Sequence, residues 1–187
     1  MKLELLYTAI VGDSRLQYRI ERESGMVELG LLPASARSAA VDTRELTALA
    51  SVKFGGDSAG CGFGGGRTMR YSGTVSRLRF EQQEINGREI RTVMRHDNGC
   101  RLVHYVRWQE DLPVLFVHTE LVNESPETLD IELLESFALG GIGEGLSDRE
   151  FADLQLHRFR SHWCNEASLE TAAAADWRAA IRSAHQA

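Results

Sequence analysis

The chain has 187 residues, 43% hydrophobic and 26% charged, with a net charge of −6. That composition fits one soluble globular domain able to bury roughly 70% of the surface its unfolded form exposes. The acidic balance excludes broad attraction to nucleic acid or an anionic membrane, and no apolar run reaches the length of a membrane span.

The start, Met1 to Ile20, is interrupted by Glu4, Asp13 and Arg15, so it is not a signal peptide. The three cysteines, Cys61, Cys100 and Cys164, are widely separated and odd in number. They suit a reducing cytoplasm better than a disulfide framework. Asn123-Glu124-Ser125 matches a glycosylation pattern but, without a secretion signal, reads as a turn.

In chain order, Leu3–Ile10, Leu16–Glu21 and Met26–Leu32 read as short strands separated by Gly12-Asp13-Ser14 and Glu23-Ser24-Gly25. Pro33–Val52 is rich in Ala and Ser; one helical turn or a loop fits equally. Phe54–Gly66 holds seven glycines and reads as irregular. Thr74–Ile85 reads as a strand, Asn86-Gly87 as a tight hairpin turn tolerant of positive φ, and Glu89–Arg95 as the return strand. Asp97-Asn98-Gly99 makes another turn.

Arg101–Gln109 alternates, with Leu102, His104, Val106 and Trp108 on one face and Val103 and Tyr105 on the other. Glu110-Asp111-Leu112-Pro113 breaks it. Val114–Val122 is dense in β-formers and apolar on both faces, which predicts an interior strand. Asn123-Glu124-Ser125-Pro126 is turn chemistry, and Leu129–Leu139 resumes as a third strand of a meander. Such spacing argues for an antiparallel sandwich. Gly140–Asp148 reads as a loop and Phe151–Trp163 as β. Ala172–His185 reads as a helix capped by Thr171, with Trp177 and Ile181 on one stripe. The expected organisation is a β-sandwich over 1–170 and a helical tail over 171–187.

Gly60-Cys61-Gly62-Phe63-Gly64-Gly65 satisfies G-x-G-x-x-G. A dinucleotide loop must follow a strand and open a helix, whereas Arg70–Phe80 reads as strand, and no P-loop Lys-Ser/Thr follows. The same glycines let a backbone approach a ligand closely, with Phe63 and Arg67 as the bulky and charged tips; a disordered surface loop fits the composition equally. His157, His162 and Cys164 have no zinc-ligand spacing and no evident fourth ligand, so no metal and no cofactor are expected. His104 and His118 read as satisfied sheet residues. The basic clusters Arg77/Arg79 and Arg158/Arg160 read as solvated sheet faces.

Glycosidases work with two carboxylates held several ångströms apart. Glu110/Asp111, Glu132/Glu135 and Asp148/Glu150 qualify by type, but among 27 acidic residues such pairs arise by chance. No G-x-S-x-G elbow or HExxH is present. The sequence yields no catalytic constellation.

A Gly-rich loop ends in Arg67; Leu78-Arg79-Phe80-Glu81-Gln82-Gln83-Glu84-Ile85 leads to Gly87. The meander then carries Val122-Asn123-Glu124-Ser125-Pro126-Glu127-Thr128-Leu129, and Leu156-His157-Arg158-Phe159-Arg160-Ser161-His162-Trp163 comes last. In this order of segments the chain, over roughly residues 50 to 170, resembles the N-terminal β-supersandwich of family 36 glycoside hydrolases, the retaining α-galactosidases and their relatives. The resemblance implies a mainly β, galactose-mutarotase-like antiparallel sandwich that is itself non-catalytic, both catalytic aspartates lying in a following (β/α)₈ barrel.

The family loop commonly carries Gly-x-Gly-Asp-Phe-Arg, whose Asp and Arg reach an active site, often a neighbouring subunit's. Here the Arg is kept as Arg67, while the Asp and Phe positions are Gly65 and Gly66. The expected substrate-binding residues are Arg67, Phe63 and Trp163. The expected partners are an α-galactoside, through a catalytic domain outside this chain, and further copies of the chain. The Ala-rich end departs from the family, which leads to the expectation of a truncated, frame-altered or domain-only product.

The rival reading is a stand-alone carbohydrate-binding module with Tyr71, Trp108 and Trp163 as stacking platforms. A small mutarotase-like enzyme is a third, and requires a His and a carboxylate on one concave sheet face.

Overall fold

The computed structural model describes residues 3–36, 46–57, 72–110, 112–142, 146–173 and 176. The chain divides into two compact units, Met1–Glu144 and Gly145–Ala187. It is mainly β, with antiparallel sheets and short helices. No helix among the described residues is long and apolar enough to cross a membrane.

The first unit opens with three hairpin-linked strands, β1 (Leu3–Val11), β2 (Ser14–Glu21) and β3 (Met26–Pro33), which form one antiparallel sheet. Its turns are made by Gly12 at φ +61° and Gly25 at φ +66°. These are left-handed conformations that glycine adopts at little steric cost. β4 (Val52–Phe54) follows, then helix α1 (Gly73–Arg77). A four-stranded meander comes next: β5 (Arg79–Asn86), β6 (Glu89–Arg95), β7 (Arg101–Gln109) and β8 (Leu112–Val122), paired in that order. β9 (Ile131–Leu134) pairs with β4 in a separate two-stranded ladder.

One core joins the two larger sheets. Leu16, Tyr18 and Ile20 of β2 and Val27 and Leu29 of β3 cluster with Ile90 and Met94 of β6 and Leu102 and Val106 of β7. Val52, Val75 and Leu78 seal one side, and Trp108, Leu115, Val117 and Leu121 pack against the cluster from β7 and β8. This is the sandwich the alternating pattern predicts. Each fully buried aliphatic side chain contributes about 1.5–3 kcal/mol by leaving water.

The opposite face of β2 and β3 is polar yet buried. Arg19 and Glu28 stand directly across from one another and pair at 3.0 Å, the Glu28 side chain being fully buried. Glu28 Oε2 also accepts the Thr47 backbone N–H at 2.8 Å.

In the first unit four expectations need correction. Residues 74–77 are not strand: Ser72 caps α1, its Oγ accepting the Val75 N–H at 3.1 Å while donating to the Val52 carbonyl. An N-cap that satisfies an otherwise orphaned helix donor outweighs the β-propensity of Thr74 and Val75. The third meander strand is confined to Ile131–Leu134 and leaves the meander for β4. Among the described residues β8 is therefore an edge strand, with Val114 and Phe116 exposed on its outer face, and not an interior one. Pro113 fits such an edge, where its missing N–H removes no bond from a central ladder. His104 is fully buried, but neither ring nitrogen has a hydrogen-bond partner.

The second unit contains α2 (Asp148–Ala152) and a hairpin of β10 (Gln155–His162) and β11 (Asn165–Ala173). Phe151, expected in a strand, lies in α2, whose start is fixed by a reciprocal capping box between Ser147 and Glu150. Thr171 does not cap a helix. It sits in β11 opposite His157, and Ala172 opposite Leu156, because the ladder with β10 runs on to Ala173. Residues 177–187, where the rest of that helix is expected, lie outside the described residues.

Candidate functional site

Of the three expected substrate-binding residues, Phe63 and Arg67 lie outside the described residues, as does Tyr71. Trp163 sits in the turn between β10 and β11 and is 96% exposed. Cys164 beside it takes φ +65°, which turns the chain sharply there. Along the same hairpin Phe159 stands opposite Leu169, both exposed. On its other face Arg158 and Arg160 both donate to Glu170, at 2.5 and 2.6 Å. Trp108 is no platform: it is half-buried on the core face of β7.

A cleft of about 380 Å³ opens at one end of the meander. Three arginines line it: Arg77 from the last turn of α1, Arg79 from the first position of β5, and Arg95 from the last position of β6. The β5–β6 register sets Arg79 directly opposite Arg95. Glu81, Asp97, His96 and the half-buried Phe80 complete the described lining.

The turn after β6 is tightly bonded. His96 N–H reaches the Cys100 carbonyl at 2.9 Å, Gly99 N–H the His96 carbonyl at 3.1 Å, and Cys100 N–H the Asn98 side chain at 2.9 Å. Gly99, at φ +94°, closes it.

The arginines are held unequally. Arg95 donates Nε and Nη2 to the same Glu81 oxygen, at 2.9 and 2.8 Å, and lies 3.6 Å from Glu124. Glu81 holds its guanidinium above the ordinary value. Arg77 reaches Asp97 only at 3.8 Å. Among the described residues Arg79 bonds to backbone alone: its Nη1 donates to the carbonyls of Ser76 (2.7 Å) and Leu78 (3.1 Å). Its stem lies against the Gly25 turn so closely that a Cβ on Gly25 would approach Arg79 Cδ to 2.9 Å.

His96 borders this cleft but is not placed for acid–base work. Its Nε2 is buried without a partner, and its Nδ1 lies 3.1 Å from the Asn98 N–H and 2.9 Å from Asp97. One neutral tautomer can accept the first or donate to the second, not both.

The outer face of the meander carries an aromatic row that sequence reasoning missed. Tyr105 stacks on His118 with ring centroids 4.4 Å apart, and Arg107 lies over the Phe116 ring at 5.5 Å. Both pairs are cross-strand neighbours of β7 and β8, so the signal lay in the register and not in either strand alone.

Of the acidic residues singled out by type, four are tied into local structure; Asp111 and the Asp148 side chain lie outside what the structure describes. Glu110 pairs with Arg88 and Glu132 with Lys53, Glu135 accepts the Ser51 N–H at 3.2 Å, and Glu150 caps α2. Hydrogen bonds from the Ser147 backbone and hydroxyl hold the Glu150 carboxyl below its ordinary range. Comparison with models of protein families, with curated proteins and with solved structures finds nothing that matches this chain.

Proposed function

We propose that this chain is a non-catalytic accessory sandwich of an α-galactosidase-like glycoside hydrolase, supporting assembly and shaping a sugar site that another domain supplies. The observation that carries the reading is the engagement of the four candidate carboxylates whose side chains the structure describes. Glu110, Glu132, Glu135 and Glu150 each serve an ion pair or a backbone N–H. A glycosidase pair would instead flank a sugar-sized gap with one carboxyl raised for acid catalysis. The mainly antiparallel β architecture and the order of segments add support. A reducing cytoplasm belongs to the same reading and is supported by Cys100 and Cys164, neither of them bridged.

The test is an assay of purified chain with an aryl α-galactoside. The expected result is no turnover above buffer. Turnover that follows the protein through purification and falls on Glu132→Gln or Glu135→Gln would overturn the proposal.

One observation favours a second reading, the stand-alone carbohydrate-binding module: the near-complete exposure of Trp163. The inward packing of Trp108 counts against it.

A further inference from the structure

We propose that the cleft between α1 and the β5–β6 hairpin is a binding site for a small carboxylate ligand, received by Arg79. This goes beyond the accessory-domain reading and does not depend on it. The cleft volume, about 380 Å³, falls in the range of small-molecule sites.

Its charge balance selects an anion. Among the described lining residues three guanidinium groups face two carboxylates, those of Glu81 and Asp97, while Glu124 beside Arg95 is already paired with Arg101, which leaves one positive charge over. Glu81 consumes the valence of Arg95, and Asp97 lies toward Arg77. The surplus therefore sits on Arg79, which has no carboxylate partner among the described residues and bonds only through Nη1.

Arg79 is positioned in advance. Two carbonyls grip one corner of the fork and the Gly25 turn backs the stem, so little side-chain freedom is lost when an anion arrives. The Nε–H and Nη2–H edge left over matches the two oxygens of a carboxylate, and such paired, charge-assisted bonds are among the stronger ones proteins make. The excess of a single charge suits a monoanion. A phosphate dianion would bring a second charge close to Glu81 and Asp97. Asp97, largely exposed, keeps lone pairs beyond its Arg77 and His96 contacts that can accept from ligand hydroxyls, and Phe80 gives the wall an apolar surface. A hydroxylated monocarboxylate such as a hexuronic acid meets each of these groups.

The test uses the whole chain and three probes: D-galacturonate, neutral D-galactose and inorganic phosphate. Binding is read by calorimetry and by the side-chain Nε–H resonances of arginine. Galacturonate is expected to saturate with a Kd on the order of 1 mM or tighter, shifting the Arg79 resonance, while galactose does not saturate. Arg79→Gln should weaken binding at least about tenfold, and Arg79→Lys, which keeps the charge but loses the fork, by nearly as much. Arg107→Gln, on another part of the sheet, should leave it unchanged.

If Arg79→Gln fails to fold, the lysine variant and the wild-type resonance decide. Tighter binding of phosphate than of galacturonate would overturn the carboxylate assignment. Equal binding of galactose, unchanged binding by the Arg79 variants, or no saturation by any probe would overturn the site.

Discussion

Gly140 and Glu28 are in contact so close that no side chain fits between them. A Cβ placed on Gly140 would lie 1.9 Å from Glu28 Oε2. Gly140 donates its N–H to Leu29 at 2.8 Å and forms an isolated parallel bridge with Gly30. Glu28 in turn pairs with Arg19 and accepts from Thr47. One buried carboxylate thus fastens β2, β3 and the segment at Thr47, and Gly140, bonded to the β3 backbone, packs directly against it.

Gly140→Ala should therefore destabilise the first unit by about 3 kcal/mol or more. The methyl group must displace a paired, buried carboxylate, and breaking such a pair costs about 3–5 kcal/mol. Denaturant unfolding measures it; a wild-type midpoint would show that the loop can move aside at no cost. Gly56 is the internal control. No described atom lies within 4 Å of a Cβ there, but its φ of +76° still makes alanine mildly unfavourable.

His104 predicts a pH dependence with a definite sign. Burial, with a smaller contribution from the charge of His118, pushes its pKa from the ordinary 6.5 down to about 4. Between those values the unfolded chain binds the proton and the folded chain does not. The contribution is therefore present in full above pH 6.5 and is lost as pH falls toward 4, by about 3 kcal/mol. The difference in stability between wild type and His104→Leu should shift by that amount across the window. A difference independent of pH would mean that His104 is solvated or bonded.

The exposed edge of β8 predicts self-association. Leu112, Val114 and Phe116 are exposed along a strand with no described neighbour on its outer side. Unpaired apolar edges recruit other strands, and a lysine there is the common natural protection. Sedimentation at micromolar concentration should show a dimer or larger species, reduced by Val114→Lys. A wild-type monomer throughout would contradict this.

Trp163 separates stability from binding. At 96% exposure its replacement by alanine should change stability by no more than about 0.5 kcal/mol. Under the binding-module reading the same variant loses affinity for immobilised galactosides; under the accessory-domain reading affinity does not change. Affinity electrophoresis reads the difference.

The hairpins were legible because their signals are local. Asn86-Gly87, Asp97-Asn98-Gly99 and the alternation of Arg101–Gln109 each encode their own geometry. The first of these marks the turn but not its centre: Asn86 stays in β5 opposite Glu89, so Gly87 and Arg88 form the turn, with Gly87 alone at positive φ. That is the pattern of a type II′ turn.

What was not legible depended on distant partners. Ile131–Leu134 has the composition of a meander strand, yet its choice of β4 over β8 is made by tertiary packing. The arginine cleft was hidden because Arg77 and Arg79 look like alternate positions of one strand, and only the Ser72 cap reveals a helix ending between them. Ser72 itself was a readable cap signal. His104 was misread because burial without a partner has no sequence signature.

The accessory-domain claim is tested most directly by complementation. The whole chain is fused ahead of the catalytic barrel of an α-galactosidase trimmed of its own N-terminal sandwich, and aryl α-galactoside turnover and sedimentation are compared with the trimmed barrel alone. The fusion is expected to assemble into a defined oligomer and to turn over galactoside at least about tenfold faster than the trimmed barrel, while the chain alone does neither. Turnover and assembly no better than the trimmed barrel's, with the sandwich demonstrably folded in the fusion, would contradict it.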